Sequence, residues 1–212
     1  RDRLILSKGH GCLALYALLV DKQFVAKENL DSFCKLDSIF GGHPERRKTK
    51  GIEASTGALG HGLSIGVGMA IAAKIKKKKY RVVVVTGDGE VNEGSIWEAA
   101  MSASKHKLSN LYVLIDCNKL QSYGPTKVVL NTEPLADKWK SFGFLIKEVD
   151  GHNITDLENI INNFKKSENK PTAVICHTIK GKGITFAEGK PEWHHRNKFK
   201  PEEIKEMYNC LK

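Results

Sequence analysis

Apolar positions fall into short runs separated by charged and glycine-rich stretches, and the runs alternate between two periods. Residues 81–87, 110–117, 144–150 and 172–179 read as strands, each a compact run rich in Val, Ile and Leu and bounded by turn or polar residues. Residues 11–20 read as a helix with Leu13, Tyr16, Ala17 and Val20 on its apolar side. Residues 59–76 read as a longer helix whose Gly and Ala content allows very close packing. Between the strands, residues 93–106, 133–142 and 154–166 read as helices, and a last short helix begins at Pro201 with Glu202 and Glu203 at its positive end. Strand alternating with helix predicts an α/β fold, a parallel sheet flanked by helices on both faces, as one domain over residues 1–212. Ligands of such folds bind at the carboxyl edge of the sheet, so the informative residues should follow the strands.

Composition narrows this picture. A chain of 212 residues with 41% apolar content suits one core. Its longest apolar runs fall far short of the roughly twenty residues that cross a bilayer, so no membrane span is expected. The opening Arg1-Asp2-Arg3-Leu4 has neither an initiating Met nor the features of a signal peptide, and the natural protein is expected to start further upstream. Five cysteines without a CxxC pair fit free thiols in a reducing cytoplasm. The net charge of +10 and the run from Lys74 to Lys79 invite a nucleic-acid reading. That run closes a helix, where lysines complement the negative end of the dipole, so a solvated helix terminus and no nucleic-acid partner are expected.

The strongest chemical signal follows the first long strand, in Gly87-Asp88-Gly89-Glu90-Val91-Asn92-Glu93-Gly94. Its glycines let backbone N–H groups approach an anion such as a diphosphate, yet Asp88 would repel that anion unless a cation lay between them. Thirty positions on, at the end of the next strand, stands Asn118. Carboxylate and amide oxygens are hard ligands, suited to an octahedral Mg²⁺, with Ca²⁺ or Mn²⁺ as possible substitutes. Taken alone, a glycine-flanked aspartate is a common surface turn. With Asn at the next strand end, the pair forms the signature of thiamine-diphosphate enzymes.

With these residues, Leu6-Ser7-Lys8-Gly9-His10-Gly11, Gly42-His43-Pro44, Ser55-Thr56-Gly57-Ala58-Leu59-Gly60, Asp150-Gly151-His152, Thr178-Ile179-Lys180-Gly181 and Glu192-Trp193-His194-His195 follow in order. Together they resemble the amino-terminal, diphosphate-binding domain of transketolase over nearly the whole chain. The resemblance implies the thiamine-diphosphate-binding fold, a thiamine diphosphate cofactor, and metal ligation by Asp88, Asn118 and the backbone carbonyl of Leu120. It places Gly89 and Glu90 at the diphosphate, and Gly57, Ala58 and Leu59 along the aminopyrimidine and the bend of the cofactor. Lys8 and Lys180 resemble lysines that reach toward the diphosphate. His10, His43 and His194 resemble histidines of the cofactor and substrate channel, able to bond sugar hydroxyls and shuttle protons. Glu93 resembles a carboxylate at the subunit contact, although it could equally cap the following helix. Trp97 and Met101 read as core. His61 and His195 stand where many similar enzymes carry Gln and Gly, and neither receives a catalytic role.

The implied activity is transfer of a two-carbon ketol unit from a ketose to an aldose, on sugars or sugar phosphates. The buried glutamate that activates the cofactor belongs, in this family, to a separate pyrimidine-binding domain outside these residues. The chain is then one half of a split enzyme or a fragment of a longer one. Since the terminal helix ends cleanly, the expected arrangement is the split enzyme, two such chains with two pyrimidine-binding partner subunits. Two other readings use part of this pattern: the decarboxylating subunit of a 2-oxo acid dehydrogenase, and a cofactor-free binding or regulatory domain of the same fold.

Overall fold

The computed structural model describes residues 1–163, 169–196 and 198–212. Five parallel strands form the sheet: β1 (Arg3–Leu6), β2 (Val82–Gly87), β3 (Leu111–Cys117), β6 (Leu145–Asp150) and β7 (Thr172–His177), in the spatial order β1-β2-β3-β7-β6. A two-stranded antiparallel hairpin, β4 (Leu120–Gln121) with β5 (Gly124–Pro125), follows β3. The helices are α1 (Cys12–Asp21), α2 (His61–Ile75), α3 (Gly94–Lys105), the single turn α4 (Thr126–Val129), α5 (Leu135–Ser141), α6 (Ile154–Asn162) and α7 (Pro201–Cys210).

Helices cover both faces, as the alternation of elements requires. On one face α2, α3 and α5 bury Leu63, Val67, Ile96, Ala100 and Trp139 against Ile5, Val84, Val113 and Ile175 of the sheet. On the other, Leu157 and Ile160 of α6 pack on Leu114, Val149 and Val174. The small residues of α2 do what their pattern suggests: a Cβ at Gly66 would stand 2.5 Å from Cγ2 of Val84, so helix and strand touch backbone to side chain. A smaller core joins Tyr16 and Leu19 of α1 to Phe40 and Ile52. There the Tyr16 hydroxyl lies 2.9 Å from the carbonyls of both Gly41 and His43, which fixes the loop carrying His43.

Several expectations need correction. Strand β1 was not among the expected elements. Helix 133–142 is shorter, starting at Leu135 after the cis peptide between Glu133 and Pro134. Of the expected helix 154–166, α6 accounts for Ile154–Asn162, and residues 164–166 lie outside the described residues. Met101 is not core: it is 55% exposed, because the buried stripe of α3 runs through Ile96, Ala99, Ala100 and Ala103. Trp97 does pack inward, with ring centroids 5.2 Å from Trp139 and 4.9 Å from Phe142. Cys12, Cys117 and Cys176 are buried free thiols. Glu202 and Glu203 do occupy the first turn of α7, where the Glu203 carboxylate accepts the Lys200 N–H at 2.8 Å. No described helix is long and apolar enough to cross a membrane.

Candidate active site

Register puts the strand ends level. Leu6 pairs with Val85, Gly87 with Asp116, and Cys117 with His177, so the loops after β1, β2, β3 and β7 open side by side at the carboxyl edge. They enclose a cavity of about 210 Å³ lined by Lys8, His10, Leu59, Asp88, Asn118 and Lys180, together with Gly89, Glu90, Leu120 and His194. Ten of the sequence-derived site residues are thus brought together. His43, Gly57 and Ala58 are not lining residues: Gly57 lies against Gly9, with its backbone nitrogen 2.8 Å from where a Gly9 Cβ would stand, and His43 packs on Gly57. A larger concavity of about 390 Å³, among Lys74, Lys78, Lys79, Arg81 and Lys107, lies at the opposite edge and has no carboxylate among its lining residues. The chemistry, not the volume, assigns the site.

Asp88 is 2% exposed, and its two oxygens accept the N–H groups of Gly89 (2.8 Å) and Lys119 (2.5 Å). Burial pushes its carboxyl up to about 6, against those two hydrogen bonds, with Asp116 adding to the rise. A cation beside it would favour the charged form instead. Oδ1 of Asn118 accepts the Leu120 N–H at 3.0 Å, which turns the loop so that Asn118 and Leu120 both face the cavity. Among the described residues no three His, Cys, Asp or Glu side chains gather around a metal position. One carboxylate, one amide oxygen and one backbone carbonyl from Asp88, Asn118 and Leu120 would suit Mg²⁺ completed by phosphate oxygens rather than a metal held by protein alone.

Glu90 is more than a backbone donor. Its buried carboxylate accepts from the hydroxyls of Ser7 and Thr86 and from the N–H groups of Gly60 (2.9 Å) and Gly87 (3.2 Å). It therefore knots the loops after β1 and β2 to the start of α2. Gly89 turns its own N–H to Asp88, and a Cβ there would stand 2.8 Å from Cβ of Gln121, so only glycine leaves that cradle open.

Asp116 escaped the sequence reading. Its side chain pairs with Lys8 and accepts the Thr178 hydroxyl, tying together the loops after β1, β3 and β7. Burial acts to raise its pKa, but the Lys8 charge and the bonds from Lys8, Thr178 and Asn118 outweigh it and hold the carboxyl below its usual value. The one available signal was spacing, since Asp116 lies two residues before Asn118 at the carboxyl end of β3. Lys180 is depressed by burial and by the like charge of Lys8. Its loop is held by His152, whose Nε2 accepts the Ile179 N–H at 2.8 Å. Glu93 makes no side-chain cap at α3 and stands exposed at the cavity rim.

His10 and His194 stack with ring centroids 5.9 Å apart. Both are pushed down to about 4, chiefly by burial and then by the charges of Lys8 and Lys180, so both are neutral at pH 7. Among the described residues Nδ1 of His194 and Nε2 of Gln121 are buried without a hydrogen-bond partner, and both residues line the cavity. Orphaned polar atoms of this kind call for a polar ligand.

The family profile described as transketolase, thiamine diphosphate binding domain, matches residues 1–211. The chain belongs to this family. It is 46% identical to one of the subunits of apulose-4-phosphate transketolase from Actinobacillus succinogenes, over 92% of this chain and 71% of that relative. It is 42% identical to the 6-deoxy-6-sulfo-D-fructose transketolase subunit SqwG of a Clostridium species, over 92% of this chain and 71% of the relative. The crystal structure of Pichia stipitis transketolase in complex with sedoheptulose-7-phosphate superimposes on the whole chain with a TM-score of 0.91 and 34% identity. This chain spans 33% of that transketolase. The fold and family expected from the motifs are those observed, and the named relatives are transketolase subunits, that is, transferases.

Proposed function

We propose that the chain is the diphosphate- and metal-binding subunit of a split transketolase, which transfers a two-carbon ketol unit from a ketose to an aldose with thiamine diphosphate and Mg²⁺. The observation that carries this reading is the placement of Asp88 and Asn118 on adjacent parallel strand ends, around a cavity with two orphaned polar atoms. Relatives from two bacteria are named as single subunits of a transketolase, which supports the need for a partner chain. The partner proposed is a pyrimidine-binding subunit, in an assembly of two of each chain, and the substrates are sugars or sugar phosphates. A cytoplasmic location is part of this proposal. With the transketolase family established, no observation favours the 2-oxo acid dehydrogenase reading.

When bound, thiamine diphosphate supplies a carbon nucleophile and an electron sink for cleaving the bond next to a ketose carbonyl. This chain's residues hold and orient. Asp88, Asn118 and the Leu120 carbonyl would ligate the cation, and the N–H of Glu90 would reach the diphosphate. Lys8 and Lys180 add positive charge beside it. Lys8 is paired with Asp116, so its charge is oriented by a carboxylate on the neighbouring loop. His10 and His194 are neutral at pH 7, so each offers a ring nitrogen that can accept a hydrogen bond from a sugar hydroxyl, and each, once protonated, is a ready proton donor. Leu59 would shape one wall, and His43 and Gly57, which pack on each other, stand outside the lining.

The test is co-expression with the pyrimidine-binding partner, followed by an assay of glycolaldehyde transfer from a panel of free and phosphorylated ketoses. Transfer from at least one donor is expected. Bound cofactor without transfer from any donor overturns the activity, and absence of cofactor binding favours an inert domain of the same fold.

A further inference from the structure

His195 carries no role in the chemistry above, yet it is the residue that joins the two sides of the cavity mouth. Its Nε2 lies 2.8 Å from Oγ of Ser122, a residue of the turn between β4 and β5 and a lining residue of the cavity. Among the described residues this is the single hydrogen bond between residues 118–125 and residues 179–196. The His195 ring also meets His194 edge-on, with centroids 4.5 Å apart, while His10 stacks on His194 at 5.9 Å. His194 therefore touches two imidazoles, and of the two it is His195 that is bonded to the opposite wall.

The outer side of the same segment is anchored differently. The Arg196 guanidinium lies 4.2 Å from the Trp193 ring and pairs with Glu203 at the start of α7. Trp193 packs edge-on against Phe186 with centroids 5.2 Å apart. These contacts fix where the segment sits on the body of the protein. They do not fix how far His194 reaches into the cavity, since none of them crosses it. Among the described residues Nδ1 of His194 is buried and unpartnered, so no bond at that atom sets the ring's depth either.

We propose that the bond between His195 and Ser122 is a latch that sets the position of His194 in the cavity, making His195 a positioning residue for the ketol transfer proposed above, on which this inference rests. An exposed hydrogen bond contributes little to global stability. Its effect is on placement: a displaced proton-transfer group lowers turnover far more than it lowers stability.

The test uses the complex with its partner chain, in the variants His195→Ala, Ser122→Ala, the double variant and His195→Gln. Each single alanine variant is expected to lower kcat/KM for the ketose donor by roughly tenfold, and the double variant no further, because both remove the same contact. His195→Gln, whose amide can still reach the hydroxyl, is expected to recover most of the loss. Affinity for thiamine diphosphate should stay within about twofold, since neither residue is assigned to it. A readout independent of turnover is hydrogen exchange in the chain without cofactor. The N–H groups of Trp193 and His194, which donate to the carbonyls of Lys190 and Pro191, should exchange faster in both single variants. Additive losses in the double variant, or unchanged exchange at residues 191–196, overturn the latch. If the wild-type complex transfers from no donor, the functional reading fails, and the exchange data alone still decide the latch.

Discussion

The backbone N–H of Lys119 donates to Oδ2 of Asp88 at 2.5 Å, so the loop after β3 is bonded to the carboxylate that closes β2. Lys119 reaches this position in a left-handed conformation, φ 62°. Asp88 thus sets the loop that carries Asn118, and in the proposed function it has a second task, offering an anionic oxygen to a cation.

Replacing Asp88 with Asn separates those tasks. Asp88→Asn removes the charge but keeps an oxygen for one of the two backbone donors. Mg²⁺-dependent binding of thiamine diphosphate should weaken by about two orders of magnitude, which corresponds to roughly 2.7 kcal/mol. Since one of the two backbone donors then faces the amide NH2, the urea midpoint should fall modestly while circular dichroism stays that of the wild-type fold. Calorimetry at constant pH measures the first, and an unchanged affinity would remove Asp88 from the metal site.

The raised pKa of Asp88, about 6, has a defined sign. The folded chain holds this proton more tightly than the unfolded chain, so the contribution to stability is full at acid pH and is lost as pH rises through about 6. A cation competes with that proton. Affinity for Mg²⁺ with cofactor should therefore fall as pH drops below about 6, approaching tenfold per unit for one competing proton. His10 and His194 act oppositely: the fold favours their neutral forms, so their contribution is present above about 6.5 and is lost as pH falls through about 4. Calorimetry at pH 5 and pH 7 in buffers of different ionisation enthalpy reads proton release directly. No release at pH 5 counts against the assignment.

Glu90 should be the most structural residue at the site. Glu90→Ala strands the donors of Ser7, Gly60, Thr86 and Gly87 in a buried place, and we expect a loss of about 3–5 kcal/mol. Glu90→Gln keeps one oxygen and should lose roughly half of that. Urea denaturation of both variants, at matched slope, checks the order.

Gly57 sits at φ 141°, and an added Cβ would stand 2.9 Å from Cδ2 of His43. Gly57→Ala should lower stability by about 1–3 kcal/mol, and Gly57→Val by more, because β-branching adds a second clash. Thermal melts of the two variants measure the difference, and a neutral Gly57→Val would show that this loop is not constrained.

The long strands and most helices were legible because each carries its own periodicity. Strand β1 was not, since Arg3-Leu4-Ile5-Leu6 is too short to show a period and is defined by its register against β2. Spatial order is likewise absent from local pattern: nothing in residues 145–177 announces that β7 pairs with both β3 and β6. Met101 misled because it lies four residues from Trp97, whereas the buried stripe of α3 runs through alanines. At the site, Asp88 and Asn118 were readable because glycine and strand ends mark them. Asp116 was hidden because its partners, Lys8 and Thr178, are brought from 108 and 62 residues away. Ser122 was hidden for the same reason, since its partner His195 lies 73 residues further on.

The insertion of β7 between β3 and β6 constrains how the chain can assemble. Emerging from a ribosome, residues 145–150 have no neighbour to pair with until residues 172–177 have been made and have docked on β3. During that wait both edges of β6 are open. Lys147, Glu148 and Asp150 place charge along the waiting segment, which discourages it from recruiting strands of other nascent chains.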